Sequence, residues 1–399
     1  MPQLHLPVRP NLDRLRRQAK ALLAEQRRDG SPDARLAGAQ RALARSYGIP
    51  NWPRLVHACK LTDAIWRDDA AAVRALVTKH PRLLHEDARG VKGNWGPPMS
   101  YAANLGRDAI VTMLHDLGAA DVQFAFDRAC LQGQIGTARR LYELGARPQA
   151  DAVMGPCETQ SDTGLALLFS LGARLDDGQG DRLAPVALLL ETYGREPQGK
   201  HRCLELVAGQ GIDLLDTPPM AVHRGRIDLL DAHLRRDPDL FRRTFSHAEI
   251  YPPELGCHTD ESLALHGTPL AGGTLLHLAV DNDEIDLIRW MLDRGANVDA
   301  PAAVDGDGFG GHTALFGCTV SQPYRCGRQR EPELARLLLD RGADPNARAS
   351  LRKRLRFVDD ETLHEYRDVT PVSWGERFHD QAWVSRPALA LLAERGGHP

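Results

Sequence analysis

Three things are missing from this 399-residue sequence. No stretch approaches the roughly 18 to 20 consecutive apolar residues that a membrane span requires. The seven cysteines, at 59, 130, 157, 203, 257, 318 and 326, include no CxxC pair and no disulfide-like spacing. An odd, scattered set of this kind points to reduced thiols. There is also no dominant charge: the formal net charge is −3, with 26% charged and 42% hydrophobic residues. That balance argues against a general binder of nucleic acid or membrane surfaces. The opening "MPQLHLPVRPNLDRLRRQAK" has no apolar stretch suited to a secretory signal. Together these features lead us to expect a cytoplasmic protein.

What the sequence does have is rhythm. A chain this long exceeds the size at which single cores stop growing, so it divides into domains or forms an array. The clearest unit is "TLLHLAVDNDEIDLIRWMLDRGANVDA", residues 274–300. Ile285, Ile288 and Leu292 form one helical stripe, Gly295 suits the left-handed end of a helix, and Asn297 and Asp299 suit a turn. Related frames fit 97–119, 124–146 and 217–234, and, with interruptions, 313–348 and 370–397. Weaker copies lie at 61–83, 150–175 and 183–213, making about nine units. Gly-Ala or an equivalent closes them near 118, 145, 172, 211, 295, 342 and 396.

Thr274, Leu276, His277, Ala279 and Gly295-Ala296-Asn297 make this unit resemble the ankyrin repeat, with Leu275 where that family usually has proline. The resemblance implies an all-α solenoid of helix pairs joined by long fingers, in which insertions fall mostly on a concave face. Residues 1–59 read as a helical N-terminal cap, with Asn11 a candidate N-cap for the helix carrying Leu12, Leu15, Ala19 and Leu22. This entry resembles the lead-in of a group of bacterial ankyrin-repeat proteins. Residues 60–240 then form a degenerate first half, 241–273 an inserted loop, and 274–399 an interrupted second half. At its family position His277 is expected to bond neighbouring backbone and act structurally.

Function is sought where the period breaks. Four departures stand out, at 85–98, 246–273, 301–312 and 349–368, with a further insertion at 321–332 inside one unit. All but the first are near neighbours in the array and are expected to converge. Candidate catalytic residues are Glu249, Glu254, Asp305, Asp307 and His312; Glu376 joins them as a carboxylate for general acid–base work. Candidate binding residues are Trp95, His247, Tyr251, His258, Asp260, Tyr324, Arg325, Trp374 and Glu376. Asp305 and Asp307 resemble the opening of a calcium loop, but Phe309 and Phe316 stand where that loop needs oxygen ligands. No HExxH or paired-cysteine spacing sets His247, Glu249, His258 or His312 as metal ligands, so neither metal nor cofactor is expected. The basic run Arg348, Arg352, Lys353, Arg354 and Arg356 precedes Asp359, Asp360 and Glu361 and reads as a self-compensating finger, with a contact to an anion or acidic partner as the alternative. Two functions remain open. One is a scaffold gripping a protein segment in its groove, as the resemblance implies; the other is a groove hydrolase or lyase acting on a sugar or other polar small molecule.

Overall fold

The structure, a computed structural model, describes residues 4–30, 34–263, 265–322 and 330–399. The chain divides into two compact units: residues 1–149 with 167–172, and residues 150–166 with 173–399.

The first unit begins with α1 (Leu12–Arg28), α2 (Leu36–Ser46) and α3 (Trp52–Trp66). Asn11 caps α1 by accepting the Arg14 amide at 2.9 Å, which satisfies one of the donors a helix leaves free at its start. Leu15, Ala19, Leu43, Ile49 and Leu55 bury one core between these three helices. Next come α4 (Ala70–Lys79), α5 (Pro98–Asn104), α6 (Asp108–Asp116), α7 (Val122–Leu131) and α8 (Ile135–Glu143). Helix α5 packs on α7, α6 on α8, and each is joined to its own pair, so every pair hides its apolar stripe against the next.

Helices α9 (Met154–Thr159) and α10 (Asp162–Ser170) follow, then α11 (Ala184–Glu191), α12 (Pro197–Gly209), α13 (Pro218–His223) and α14 (Ile227–Arg236). After a one-turn helix α15 (His247–Ile250) come α16 (Leu275–Asp281), α17 (Ile285–Asp293), α18 (Ala314–Thr319) and α19 (Glu333–Asp340). The last pair is α20 (Pro371–Arg377) and α21 (Arg386–Glu394). In the second unit α13, α16, α18 and α20 stack in succession, each with its own second helix beside it. The glycines expected to close the repeats do so: Gly118, Gly145, Gly172, Gly211, Gly295, Gly342 and Gly396 all have φ between +84° and +108°, which an L side chain adopts only under strain.

One finger departs from the all-helical expectation. Residues 349–369 fold as an antiparallel hairpin, β1 (Ala349–Lys353) with β2 (His364–Val369), pairing Leu351 with Tyr366 and Lys353 with His364. The alternation is visible in retrospect: Ala349, Leu351 and Lys353 turn inward while Ser350 and Arg352 are half-exposed. Two inward apolar residues on so short a strand were masked by the surrounding arginines.

Candidate functional site

Backbone hydrogen bonds tie the irregular segments of the second unit into one ribbon. Phe245 N–H donates to Gly273 O at 2.9 Å, Ala303 N–H to Gly272 O at 2.8 Å, Ala302 N–H to His312 O at 2.8 Å, and Gly310 N–H to Ser350 O at 2.7 Å. Gly310 is fixed by this arrangement. Its φ is +125°, and a Cβ there would lie 2.0 Å from Ala303 O, so no other residue brings the two fingers together. The ribbon walls a cavity of about 660 Å³. Residues 244–247, 260–262, 269, 271–272, 303–305, 309–310, 312 and 351–354, together with Leu363, supply its lining. Every insertion between repeats of this unit contributes.

Below the ribbon, buried polar groups hold segment 246–270 in place. Glu191 at the end of α11 accepts the His258 amide at 2.9 Å and its Nδ1–H at 2.8 Å. Arg195 donates to Leu265 O at 2.8 Å and to Asp281 Oδ2 at 2.9 Å. His223 donates from Nε2 to Ile250 O at 2.9 Å, while its Nδ1 accepts from Lys200 Nζ at 2.8 Å. The ammonium also donates to Asn282 Oδ1 at 2.7 Å. Burial, then the nearby Arg195 charge, takes the Lys200 pKa down to about 7, and burial holds His223 well below the usual imidazole value. The network is saturated and reaches no cavity wall.

Of the expected site residues, the cavity gathers His247, Asp260, Asp305 and His312. Their roles are specific. His247 donates from Nε2 to His258 O at 2.9 Å. Asp260 accepts the Ser262 amide at 2.9 Å. Asp305 takes the amides of Asp307 and Phe309 on Oδ1, both at 2.9 Å, and Arg352 on Oδ2 at 2.7 Å. Asp307 Oδ2 receives the other arm of the same guanidinium at 2.9 Å. These bonds to backbone and to Arg352 hold Asp305 below the usual carboxylate range. The Asp305–Asp307 loop is thus an arginine clamp whose oxygens are already used, and its likeness to a calcium loop ends there. Phe309, buried under Arg352 at 5.0 Å and Arg367 at 4.2 Å, seals its base.

His312 is 1% exposed and donates from Nε2 to Pro269 O at 2.9 Å. Burial, with His277 beside it, lowers its pKa to about 3. His277 repeats the device one repeat earlier. It accepts the Thr274 amide at 3.1 Å, donates to His312 O at 2.9 Å, and is taken down to about 4 by burial. Both imidazoles stay neutral and bind finger backbone, so His312 serves structure and not acid–base chemistry.

The remaining candidates lie elsewhere. Trp374 is fully buried, donates to Thr268 Oγ1 at 3.1 Å and meets Tyr366 edge-on at 4.8 Å, so it is core and not a binding surface. Tyr251 is likewise core, stacked on His266 at 6.4 Å, with burial pushing its phenol upward. Glu249 closes a capping box on Ser246, since a carboxylate at that position reaches back to the free amide. Glu254 and Glu376 are exposed and line no part of the cavity. His258 is held by Glu191, and Trp95 packs on Tyr101 at 4.9 Å in the first unit. Tyr324 and Arg325 lie outside the described residues.

The cavity also holds Glu261, Lys353 and Arg354, which were not among the candidate site residues. Three arginines of the basic run are compensated, two of them by distant partners. Arg348 pairs with Asp368 at 2.8 Å and Arg352 with the 305–307 loop, and only Arg356 uses a close neighbour, Glu361 at 3.5 Å. Glu261 Oε1 lies 3.9 Å from Nε2 of the wholly buried His266. Burial opposes its ionisation, but His266, Lys353 and His247 outweigh that and take the carboxyl down to about 2. Among the described residues no group of three or more His, Cys, Asp or Glu is placed to hold a metal ion, and no helix is long and apolar enough to cross a membrane.

Residues 271–300 match the family model of the ankyrin repeat. The chain carries an ankyrin repeat. The match spans α16 and α17, the pair whose His277 and Gly295 behave as that repeat requires. Among solved structures, the human ASB11 ankyrin repeat domain aligns at 18% identity, covering 76% of this chain and 99% of that one, with a TM-score of 0.23. A search of curated proteins finds no match. Ankyrin arrays are in general scaffolds for protein–protein interaction, and function within such a fold is written in its fingers. Here the fingers at either end of the matched repeat build the cavity together with the hairpin finger of residues 349–369.

Proposed function

We propose that the protein is a binding scaffold that holds a segment of a partner protein in the cavity between the fingers of its second unit. The observation that carries this reading is the convergence of separate insertions on one cavity of about 660 Å³, a size suited to a few side chains. Its floor and rim are mixed. Phe245, Pro269, Phe309 and Leu351 give apolar surface, and Val304 and Leu363 stand 62% and 49% exposed at the edge. Exposed aliphatic groups beside a concavity are the usual marks of a surface completed by a partner. The alternative, a groove enzyme using general acid and base, has less support. Asp305 and His312 are committed to structure, while Glu249, Glu254 and Glu376 do not reach the cavity.

The test is to pan a random heptapeptide display library against the intact protein and against an Ala303→Trp variant. Ala303 is exposed and lines the cavity, and its amide bond to Gly272 is backbone, so the indole fills space without removing structure. Enrichment of a peptide family by the native protein and its loss with the tryptophan supports the reading. Equal enrichment by both moves the binding surface away from the cavity.

A further inference from the structure

Lys353 is the third inward residue of β1 and lines the cavity while being 5% exposed. Among the described residues its ammonium has no hydrogen bond and no ion pair; Glu261 and Asp281 favour its charge only at longer range. Burial takes its pKa down to about 8. A charge held on a cavity wall without a bonded partner is costly to keep, and a methionine of similar shape would avoid that cost. Lys200 shows the contrast: also buried in the same unit, it donates to both His223 and Asn282 and is no part of this cavity's lining.

The next residue, Arg354, is exposed on the same wall and makes no ion pair, whereas its neighbour Arg352 is used by Asp305 and Asp307. We propose that Lys353 and Arg354 form a carboxylate-recognition site on the cavity wall, which selects an acidic group in the bound segment. This rests on the partner-segment reading above and specifies its chemistry. The incoming carboxylate supplies a directly bonded counter-charge, where Glu261 acts on Lys353 only at longer range, and charge-assisted bonds of this kind are stronger than neutral ones. Asp260 and Glu261 on the same cavity disfavour a second acid, so the site reads one acidic position and not a general negative charge. The backbone suits an extended ligand. Beyond the bridge between Gly310 and Ser350, the outer edge of β1 continues along the cavity with β2 on its other side only.

The experiment uses the same heptapeptide libraries, one displayed internally and one at a free C-terminus, against the intact protein, Lys353→Met and Arg354→Ser. Native protein is expected to enrich Asp or Glu at one position, or only peptides with a free C-terminus; the two libraries distinguish a side-chain from a main-chain carboxylate. For the best peptide, neutralising the acid should weaken binding at least tenfold to native protein and less than twofold to Lys353→Met. Because Lys353→Met removes a buried charge without a bonded partner, its melting temperature should rise even as acid preference disappears. Arg354→Ser, an exposed change, gives a second reading independent of folding. An enriched consensus without an acid, or an acid preference unchanged in both variants, overturns the carboxylate site and leaves the scaffold standing. Enrichment of no peptide by native protein overturns the scaffold reading itself.

Discussion

At the scale of single residues, buried histidines decide how this protein responds to acid. His266 and His277 have pKa values lowered to about 4, and His312 to about 3, each chiefly by burial. A folded pKa below the unfolded one means that protons bind the unfolded chain more readily. Their contribution is therefore complete above the unfolded value of 6.5 and is lost as pH falls from there through about 4. Each such group adds about 1.4 kcal/mol per pH unit to the slope in that window. Urea midpoints measured from pH 7 to pH 4 should fall steeply. His312→Gln, whose amide can still donate to Pro269 O, should flatten the slope by about one proton; an unchanged slope would show that His312 is not buried neutral. The surface clamp differs in kind. Arg352 and its two aspartates are all more than a third exposed, so whatever the clamp adds is screened by water.

At the scale of elements, segment 246–270 is the instructive case. Its density of titratable residues suggested a loop laid across a groove, and part of it is: His247, Asp260, Glu261 and Ser262 reach the cavity. The rest is interior. Ile250, Tyr251, Leu255 and Cys257 are buried, and Glu191, Arg195 and His223 bond the segment's backbone from below. Ile250→Ala should therefore cost about 2 to 4 kcal/mol in chemical denaturation, the price of a core cavity. A loss under about 0.5 kcal/mol, as for a surface excursion, would contradict the placement. For the same reason, shortening the whole segment tests folding before it tests binding. Proline and glycine punctuation marked where the segment begins and ends, but which of its polar residues face inward depends on partners 60 or more residues away, such as Glu191.

At the scale of the whole molecule, six of the seven cysteines are described and all six are free and buried. Burial pushes the thiols of Cys59, Cys130, Cys203 and Cys318 up to about 12, and those of Cys157 and Cys257 higher still. Since the thiolate is the reactive form, Ellman's reagent should find no more than one fast thiol in the native protein, the remainder reacting only on unfolding. Two or more immediate equivalents would contradict the packing. The cysteines thus act as small apolar core residues in both units, and Cys257 beside His258 is no activated pair.

Local rules were enough for the repeat. Apolar residues at helical spacing and a glycine at each helix end are short-range demands, so the sequence alone placed the helix pairs and the breaks between them. The site obeys a different logic. Whether Asp305 is a free carboxylate or the anchor of Arg352, and whether Lys353 is a solvated finger charge or a buried one, depends on which fingers lie side by side. Long-range backbone pairing sets that, and only the folded chain reveals which charges found a partner.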